Sequence, residues 1–227
     1  MSIYLTVRST LKLQYGSFDE ELTEQNLSCK YILPTDTVLE IGGNMGRNAL
    51  IISSILKDDK QFVTMEPNPE FYTKLVTNRN INNKTFNIEN SALSLHPLFC
   101  IGSLTSSSDT LNEKFPLSKD HINKNTHAHR DCSIISFSSL EDKYDISFNV
   151  LVVDCEGAFY YILKDMPYIL HNIRMIIMEN DYENKDHYEY IYSTLVSQHF
   201  TCIESIPLPN CPWNAPCKDN FYEVWKR

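Results

Sequence analysis

Thr37-Val38-Leu39-Glu40-Ile41 is a short run rich in β-branched residues, Gly42-Gly43-Asn44 closes it, and residues 45–56 return apolar side chains at helical spacing. The pattern reads as strand, tight turn, helix. Glycines at such a junction let the backbone approach a ligand and take up conformations that side chains forbid, so the turn through Gly46 is a candidate nucleotide-binding element. It has neither the G-x-G-x-x-G spacing of dinucleotide folds nor the Lys-Ser/Thr ending of phosphate loops. Nothing there selects a pyrophosphate, and a small nucleoside suits it better.

The same alternation continues outward from this turn. Residues 61–65 form a second strand, Pro67 and Pro69 break it, and residues 70–80 resume a helix with Phe71, Leu75 and Val76 turned inward. A third strand is expected over residues 87–93, with extended pieces at 98–101 and 133–137 flanking a polar stretch. Residues 149–153 are continuously apolar, as in a strand buried on both faces, and helical spacing follows over 157–170. Strand 174–178, helix 188–199 and two closing strands, 200–206 and 221–225, complete the pattern. The expectation is an α/β fold: a Rossmann-like, doubly wound, mainly parallel sheet with a C-terminal antiparallel hairpin. One domain over residues 1–227 is expected, with an N-terminal extension (1–35) and a polar insertion (97–131) whose stretches 103–108 and 120–130 read as surface loops.

Bulk composition sets further bounds. Hydrophobic residues at 42% and charged residues at 22% match an ordinary globular protein. No apolar run approaches the roughly 20 residues of a membrane helix, and no secretory leader is evident, so a cytoplasmic location without membrane association is expected. Seven cysteines without regular spacing read as free thiols. A net charge of −9 repels polyanions, so nucleic acid is not the expected partner.

In doubly wound sheets ligands collect beyond the carboxyl ends of the strands, so the residues just after each strand carry the functional information. Glu66 ends the second strand about twenty residues after Gly46, where a carboxylate can accept hydrogen bonds from both hydroxyls of a bound ribose. Ser91-Ala92, at the end of the third strand, can line an adenine. Asp154-Cys155-Glu156-Gly157 follows the fourth main strand and would aim two carboxylates the same way if the strand continued. Such a pair can supply a base, bind a cation, or serve only to cap the next helix. Glu179-Asn180-Asp181 adds acids to the rim. Tyr160, Tyr161, Tyr182 and Trp213 are candidates to line an acceptor pocket. His127 and His129, near His121 and Asp131, read as a solvated loop, and Cys211 to Cys217 as a structural loop.

Taken together, Val38 to Gly46, Met65-Glu66-Pro67-Asn68-Pro69, Asn90-Ser91-Ala92-Leu93-Ser94, Ser139-Leu140 and Leu151 to Ala158 resemble an FkbM-type methyltransferase. The resemblance implies a class I fold that binds S-adenosylmethionine and transfers its methyl group, usually to a hydroxyl of a small molecule or a sugar. It also implies that Glu40, Gly42, Gly43, Asn44 and Gly46 cradle the cofactor, Glu66 and Asn68 hold its ribose, Ser91 and Ala92 its adenine, and Asp154 and Glu156 face the reaction, with Asp154 both a cofactor contact and the first candidate base. Two positions depart from the family: Val152 replaces a common Lys, and Phe159 a common acid. The alternatives are an RNA ribose 2′-O-methyltransferase and a catalytically silent cofactor-binding protein. A divalent metal bridging Asp154, Glu156 and the acceptor is left open.

Overall fold

The computed structural model describes residues 3–101, 104–107, 129–182, 184–208 and 216–227. Two helices, α1 (Ile3–Arg8) and α2 (Leu22–Tyr31), precede β1 (Val38–Ile41); α3 (Arg47–Ile55), β2 (Phe62–Met65), α4 (Pro69–Ile81) and β3 (Asn87–Glu89) then alternate. Next come β4 (Ala92–Leu93), an antiparallel group of β5 (Leu98–Ile101), β6 (Leu104–Ser107) and β7 (His129–Cys132), and β8 (Ile134–Ile135), which pairs with β4. The order closes with α5 (Phe137–Tyr144), β9 (Val150–Val153), α6 (Phe159–Asp165), β10 (Met175–Glu179), α7 (Lys185–Ser197), β11 (Thr201–Ile206) and β12 (Tyr222–Lys226).

The main sheet has seven strands in the order β3-β2-β1-β9-β10-β12-β11. Its members run parallel except β12, which is antiparallel to both β10 and β11. Because side chains alternate along a strand, the apolar runs serve two cores at once. Leu39, Ile41, Leu151, Val153, Ile176 and Met178 pack on one face with α5, α6 and α7 residues such as Phe159, Leu163 and Leu195. Val38, Val150, Val152, Met175 and Ile177 pack on the other with Ala49 to Ile52 of α3, Leu27 of α2 and Leu75 of α4.

Register positions the site. Glu89, Met65, Ile41, Val153 and Met178 lie side by side as one row across five strands, on which β3, β2, β1 and β9 end level while β10 runs one residue further. The chain winds outward from β1 through β2 to β3 and then crosses back to β9 on the other side of β1. The order of strands therefore reverses between β1 and β9, which is where open α/β sheets leave a crevice for ligands. Among the described residues no helix is long and apolar enough to cross a membrane. Cys29, Cys155, Cys202 and Cys217 are free thiols, in line with their spacing.

Several local expectations need correction. The third strand does not run unbroken over 87–93: Asn90 turns its Nδ2 onto the Glu66 carbonyl and the Ser91 hydroxyl donates to Glu89, so pairing stops at Glu89 and resumes at Ala92 in a separate two-stranded sheet. The piece over 133–137 ends early because Ser136 caps α5 through its bond from the Ser139 N–H. The helix expected over 157–170 breaks after Asp165, and Pro167, which has no N–H to continue it, opens a 3-10 turn. On α4 only Leu75 and Asn78 are fully buried, with Phe71 and Val76 half-buried. Within the polar insertion, stretches read as loops contribute β6 and β7. His121, His127 and residues 209–215, including Trp213, lie outside the described residues.

Candidate active site

The glycine turn is built first by packing. Gly42 sits at φ +100°, and a Cβ there would lie 1.6 Å from the Asp154 carbonyl oxygen; a Cβ on Gly43 would lie 2.2 Å from Thr64 Oγ1. Both N–H groups donate to the Met65 carbonyl, at 3.0 and 2.8 Å, and Gly46, at φ +87°, leads into α3. Gly42 and Gly43 are thus required for the turn to nest between β2 and the Asp154 segment. Asn44 carries the polar chemistry of the turn. It has a left-handed backbone (φ 45°), its N–H donates to Glu66 Oε2 at 2.8 Å, and its buried Oδ1 has no partner.

Glu66 stands one residue beyond the level row, 6% exposed. Its other oxygen accepts the Asn68 N–H at 2.8 Å. Burial pushes the carboxyl up to about 7 against the lowering effect of these two backbone donors. Each carboxylate oxygen still has a lone pair to offer. Asn68 is committed to α4 as its N-cap, its Oδ1 accepting the Glu70 N–H at 2.9 Å. Glu40 lies beneath the turn, 1% exposed, held by the Thr64 hydroxyl and by Asn48 Nδ2. Burial raises its carboxyl to about 8 despite those bonds. The Glu40 side chain therefore ties β1 to β2 and α3 from below the turn. Ser91 is buried with its hydroxyl on Glu89 Oε1 at 2.8 Å, and Ala92 belongs to β4.

A second group of residues gathers beyond β9 and β10. Asp154 follows Val153 directly and its N–H donates to the Ile41 carbonyl at 3.0 Å, which fixes it beside the glycine turn. The strand does not continue. Glu156 adopts φ 53° and is exposed, so the alternation that would have aligned it with Asp154 is lost. Neither acid caps α6, whose N-cap is Ala158 with no side-chain bond. Asp181 braces the Asp-Cys-Glu-Gly turn by accepting the Gly157 N–H at 3.0 Å. Asn180 is buried and anchors to the C-terminal segment, its N–H on the Phe221 carbonyl and its Nδ2 on that of Asn220.

The N-terminal extension roofs this end of the sheet. Glu21, the N-cap residue of α2, and the buried Glu24 bring carboxylate oxygens within 4.8 Å of one another and of Asp154. Arg47, buried at the start of α3, clasps Glu21 with Nε (2.9 Å) and Nη2 and reaches Glu20 with Nη1 at 2.7 Å. Asn48 links Glu24 to Glu40 at 3.0 and 3.1 Å. Burial first, and then neighbouring charge, raises the acids here. Glu179 and Glu24 act on Asp154, Glu179 and Glu40 act on Glu24, and both Asp154 and Glu24 are held well above the carboxylate range. Glu179 rises to about 8 under burial and the Asp181 charge, and Asp181 to about 7 under burial and Glu156.

Glu21, Glu24 and Arg47 are the site residues that sequence reasoning missed. The available signal was the i, i+3 spacing of Glu21 and Glu24 with a cation directly after the glycine turn. The two positions that depart from the resembled family, Val152 and Phe159, are both fully buried in the core. Of the aromatic candidates, Tyr160 stacks on His187 with ring centroids 3.8 Å apart, Tyr161 meets the same ring edge-on, and Tyr182 is buried with an unpartnered hydroxyl.

No protein-family model and no curated protein matches this chain. Solved structures do. The ribosomal protein L11 methylase from Lactobacillus delbrueckii subsp. bulgaricus superposes with a TM-score of 0.54 at 11% identity, covering 95% of this chain and 81% of that one. The O-methyltransferase from Bacillus cereus in complex with SAH gives 0.51 at 12% identity, covering 99% and 89%. A candidate tRNA (m1A22) methyltransferase from Streptococcus pneumoniae, in complex with S-adenosyl-L-methionine, gives 0.50 at 12% identity, covering 90% and 72%. These likenesses show a Rossmann-like α/β fold.

Proposed function

We propose that this chain is an S-adenosylmethionine-dependent methyltransferase, FkbM-like in its motifs, that methylates a hydroxyl of a small molecule or glycan. The observation that carries the reading is the level row of strand ends, which sets the Asn44 turn, Glu66 and Asp154 around the point where strand order reverses. S-adenosylmethionine fits the residues present: Asn44 Oδ1 is buried without a partner, and Glu66, one residue past β2, retains acceptor capacity for two ribose hydroxyls. When bound, the cofactor supplies a methyl group already activated for in-line displacement by its sulfonium.

The chain's own residues then have a limited task. Glu66 accepts from the ribose, Asn44 offers its backbone turn and Oδ1, and Ser91 and Ala92 border the adenine. Glu40 and Asn68 support the turn and α4. Positioning is most of the catalysis in such a displacement. The acceptor hydroxyl must also lose a proton, and Asp154, beside the glycine turn, receives it in its ionised form, which burial and the neighbouring acids make strongly basic. Glu156, exposed at the rim, is the second candidate. The acids gathered at this mouth oppose a phosphate backbone, which favours a neutral or cationic acceptor over RNA.

The test is calorimetric titration of the folded protein with S-adenosylmethionine and S-adenosylhomocysteine, comparing wild type with Glu66→Ala. Binding to wild type that is lost in the variant supports the reading. No binding to a demonstrably folded wild type rejects it and leaves the fold alone.

A further inference from the structure

The peptide that joins Met45 to Gly46 closes the glycine turn, and it is held at both ends. The Gly46 N–H donates to the Gly43 carbonyl at 2.8 Å, and the Met45 carbonyl accepts from Asn78 Nδ2 at 2.8 Å. Gly46 stands at φ +87°, and glycine takes positive and negative φ about equally readily, so this peptide can swing over if its ends are released. Such a reversal breaks the bond to Gly43 and shifts Asn44, whose left-handed backbone (φ 45°) directs its N–H to Glu66.

Asn78, 0% exposed on α4, uses its whole carboxamide here. Nδ2 also donates to the Tyr15 carbonyl at 3.0 Å, and Oδ1 accepts the N–H groups of Gln14 (2.8 Å) and Tyr15 (3.2 Å). That exhausts the donors and lone pairs of the group. One helical turn later Asn82 grips Lys12 by its N–H and its carbonyl, at 2.8 and 2.7 Å, and its remaining side-chain bond goes to the Asn78 carbonyl. The backbone of an N-terminal strap, residues 11–16, is therefore met by two side-chain amides of α4, while Leu11 and Leu13 pack against the core on the α3 side. Gly16, at φ +79°, passes so close to the glycine turn that a Cβ on it would stand 3.2 Å from Arg47 Nη1 and 3.6 Å from Met45 Cε. A buried polar network with every member satisfied fixes one arrangement.

We propose that Asn78 is a positioning residue for the cofactor. It locks the Met45–Gly46 peptide so that Asn44 and Glu66 keep the arrangement that receives the nucleoside, and it makes the N-terminal strap part of that lock. The inference rests on the cofactor reading above, and Asn78 acts in it through Met45, without touching the cofactor.

Two variants of the full chain separate the lock from the strap. Asn78→Leu keeps the size of the side chain and removes the donor to Met45 together with the grip on Gln14 and Tyr15. Asn82→Leu removes the grip on Lys12 and leaves Met45 held. Calorimetric titration with S-adenosylhomocysteine, well below the melting temperature of each protein, reads the affinity of the folded chain, which a loss of stability alone does not change. Binding should be roughly tenfold weaker in Asn78→Leu, equivalent to one hydrogen bond, and within about twofold of wild type in Asn82→Leu. Amide hydrogen exchange followed by nuclear magnetic resonance gives a readout without cofactor: the Gly46 N–H should exchange roughly tenfold faster in Asn78→Leu and at the wild-type rate in Asn82→Leu. Should Asn78→Leu fail to fold, Asn78→Ser, too short to reach Met45, is compared with Asn82→Ser in the same way. Equal effects in the two members of a pair, or unchanged Gly46 exchange in the Asn78 variant, overturn the proposal. Wild-type binding that the Asn78 variant retains in full also overturns it and leaves the proposed function standing. A wild type that binds no S-adenosylhomocysteine, with Gly46 exchange still faster in the Asn78 variant, removes the proposed function and with it the cofactor role of Asn78, while the lock on the turn stands.

Discussion

Replacing Gly42 by alanine places a methyl carbon 1.6 Å from the Asp154 carbonyl oxygen. To regain ordinary contact the glycine turn and the Asp154 segment must part by about 1.8 Å, a movement that packed backbone resists. The separation opens the bond from the Asp154 N–H to the Ile41 carbonyl, now 3.0 Å, at about 1 kcal/mol. A left-handed alanine costs about 1–2 kcal/mol more. With some loss of packing the total is about 2–4 kcal/mol, which for a chain of this size lowers the melting temperature by roughly 5–15 °C. Gly157→Ala is the control, because Gly157 is also at positive φ (+83°) but the nearest atom to an added Cβ is Tyr182 Cδ1, at 3.7 Å. It should lose only the backbone contribution, about 1–2 kcal/mol. Thermal and urea unfolding of the three proteins decide the matter. A Gly42→Ala protein that melts within about 2 °C of wild type, or no lower than Gly157→Ala, would refute the claim that this glycine exists to let the two segments touch.

Other expectations are more directly functional. Glu66 is raised to about 7, so its carboxylate form, the better ribose acceptor, is lost below neutrality; cofactor affinity by calorimetry should rise between pH 6 and pH 8, and a flat profile would count against Glu66 as the ribose ligand. The same shift has a stability consequence of defined sign. A carboxyl with a raised folded-state pKa favours the fold below its unfolded value, and that contribution disappears as pH rises through about 7, so Glu66→Gln should flatten the pH dependence of unfolding over that interval. Asp154→Asn should lower turnover by roughly 100-fold or more once an acceptor is in hand while cofactor binding persists; unimpaired turnover would move the base elsewhere. Thr64→Val removes the hydroxyl donor of buried Glu40 and should cost about 1–3 kcal/mol in chemical denaturation.

What could be read in the sequence followed from regular physics. The β-branched runs at 37–41, 61–65 and 149–153 are strands because they are buried on both faces, and the glycine turn and Glu66 lie where a doubly wound sheet puts its ligand-facing residues. The break at Asn90 and Ser91 escaped notice because it depends on two side chains bonding to Glu66 and Glu89, partners that only folding defines. The roof was missed for a different reason. Pattern reading finds a helix by its apolar stripe, whereas the buried residues of α2 include Glu24, Gln25 and Ser28 beside Leu27. That face is polar because it covers the crevice as well as the core. A matched pair of Asp154 and Glu156 requires the strand to continue, and the left-handed Glu156 ends that alternation.

The placement of β12 has a bearing on how the molecule comes to be made. It lies between β10 and β11, yet it is the latest of the three in sequence. During synthesis β10 therefore waits as an edge strand, presenting the unpaired backbone of Met175–Glu179 until residues 222–226 emerge. Exposed apolar edges of this kind recruit other chains, so the interval before β12 inserts is when a nascent molecule is most prone to aggregate. The Asn180 N–H likewise finds its acceptor at Phe221 only then, and the acidic end of the crevice is assembled last.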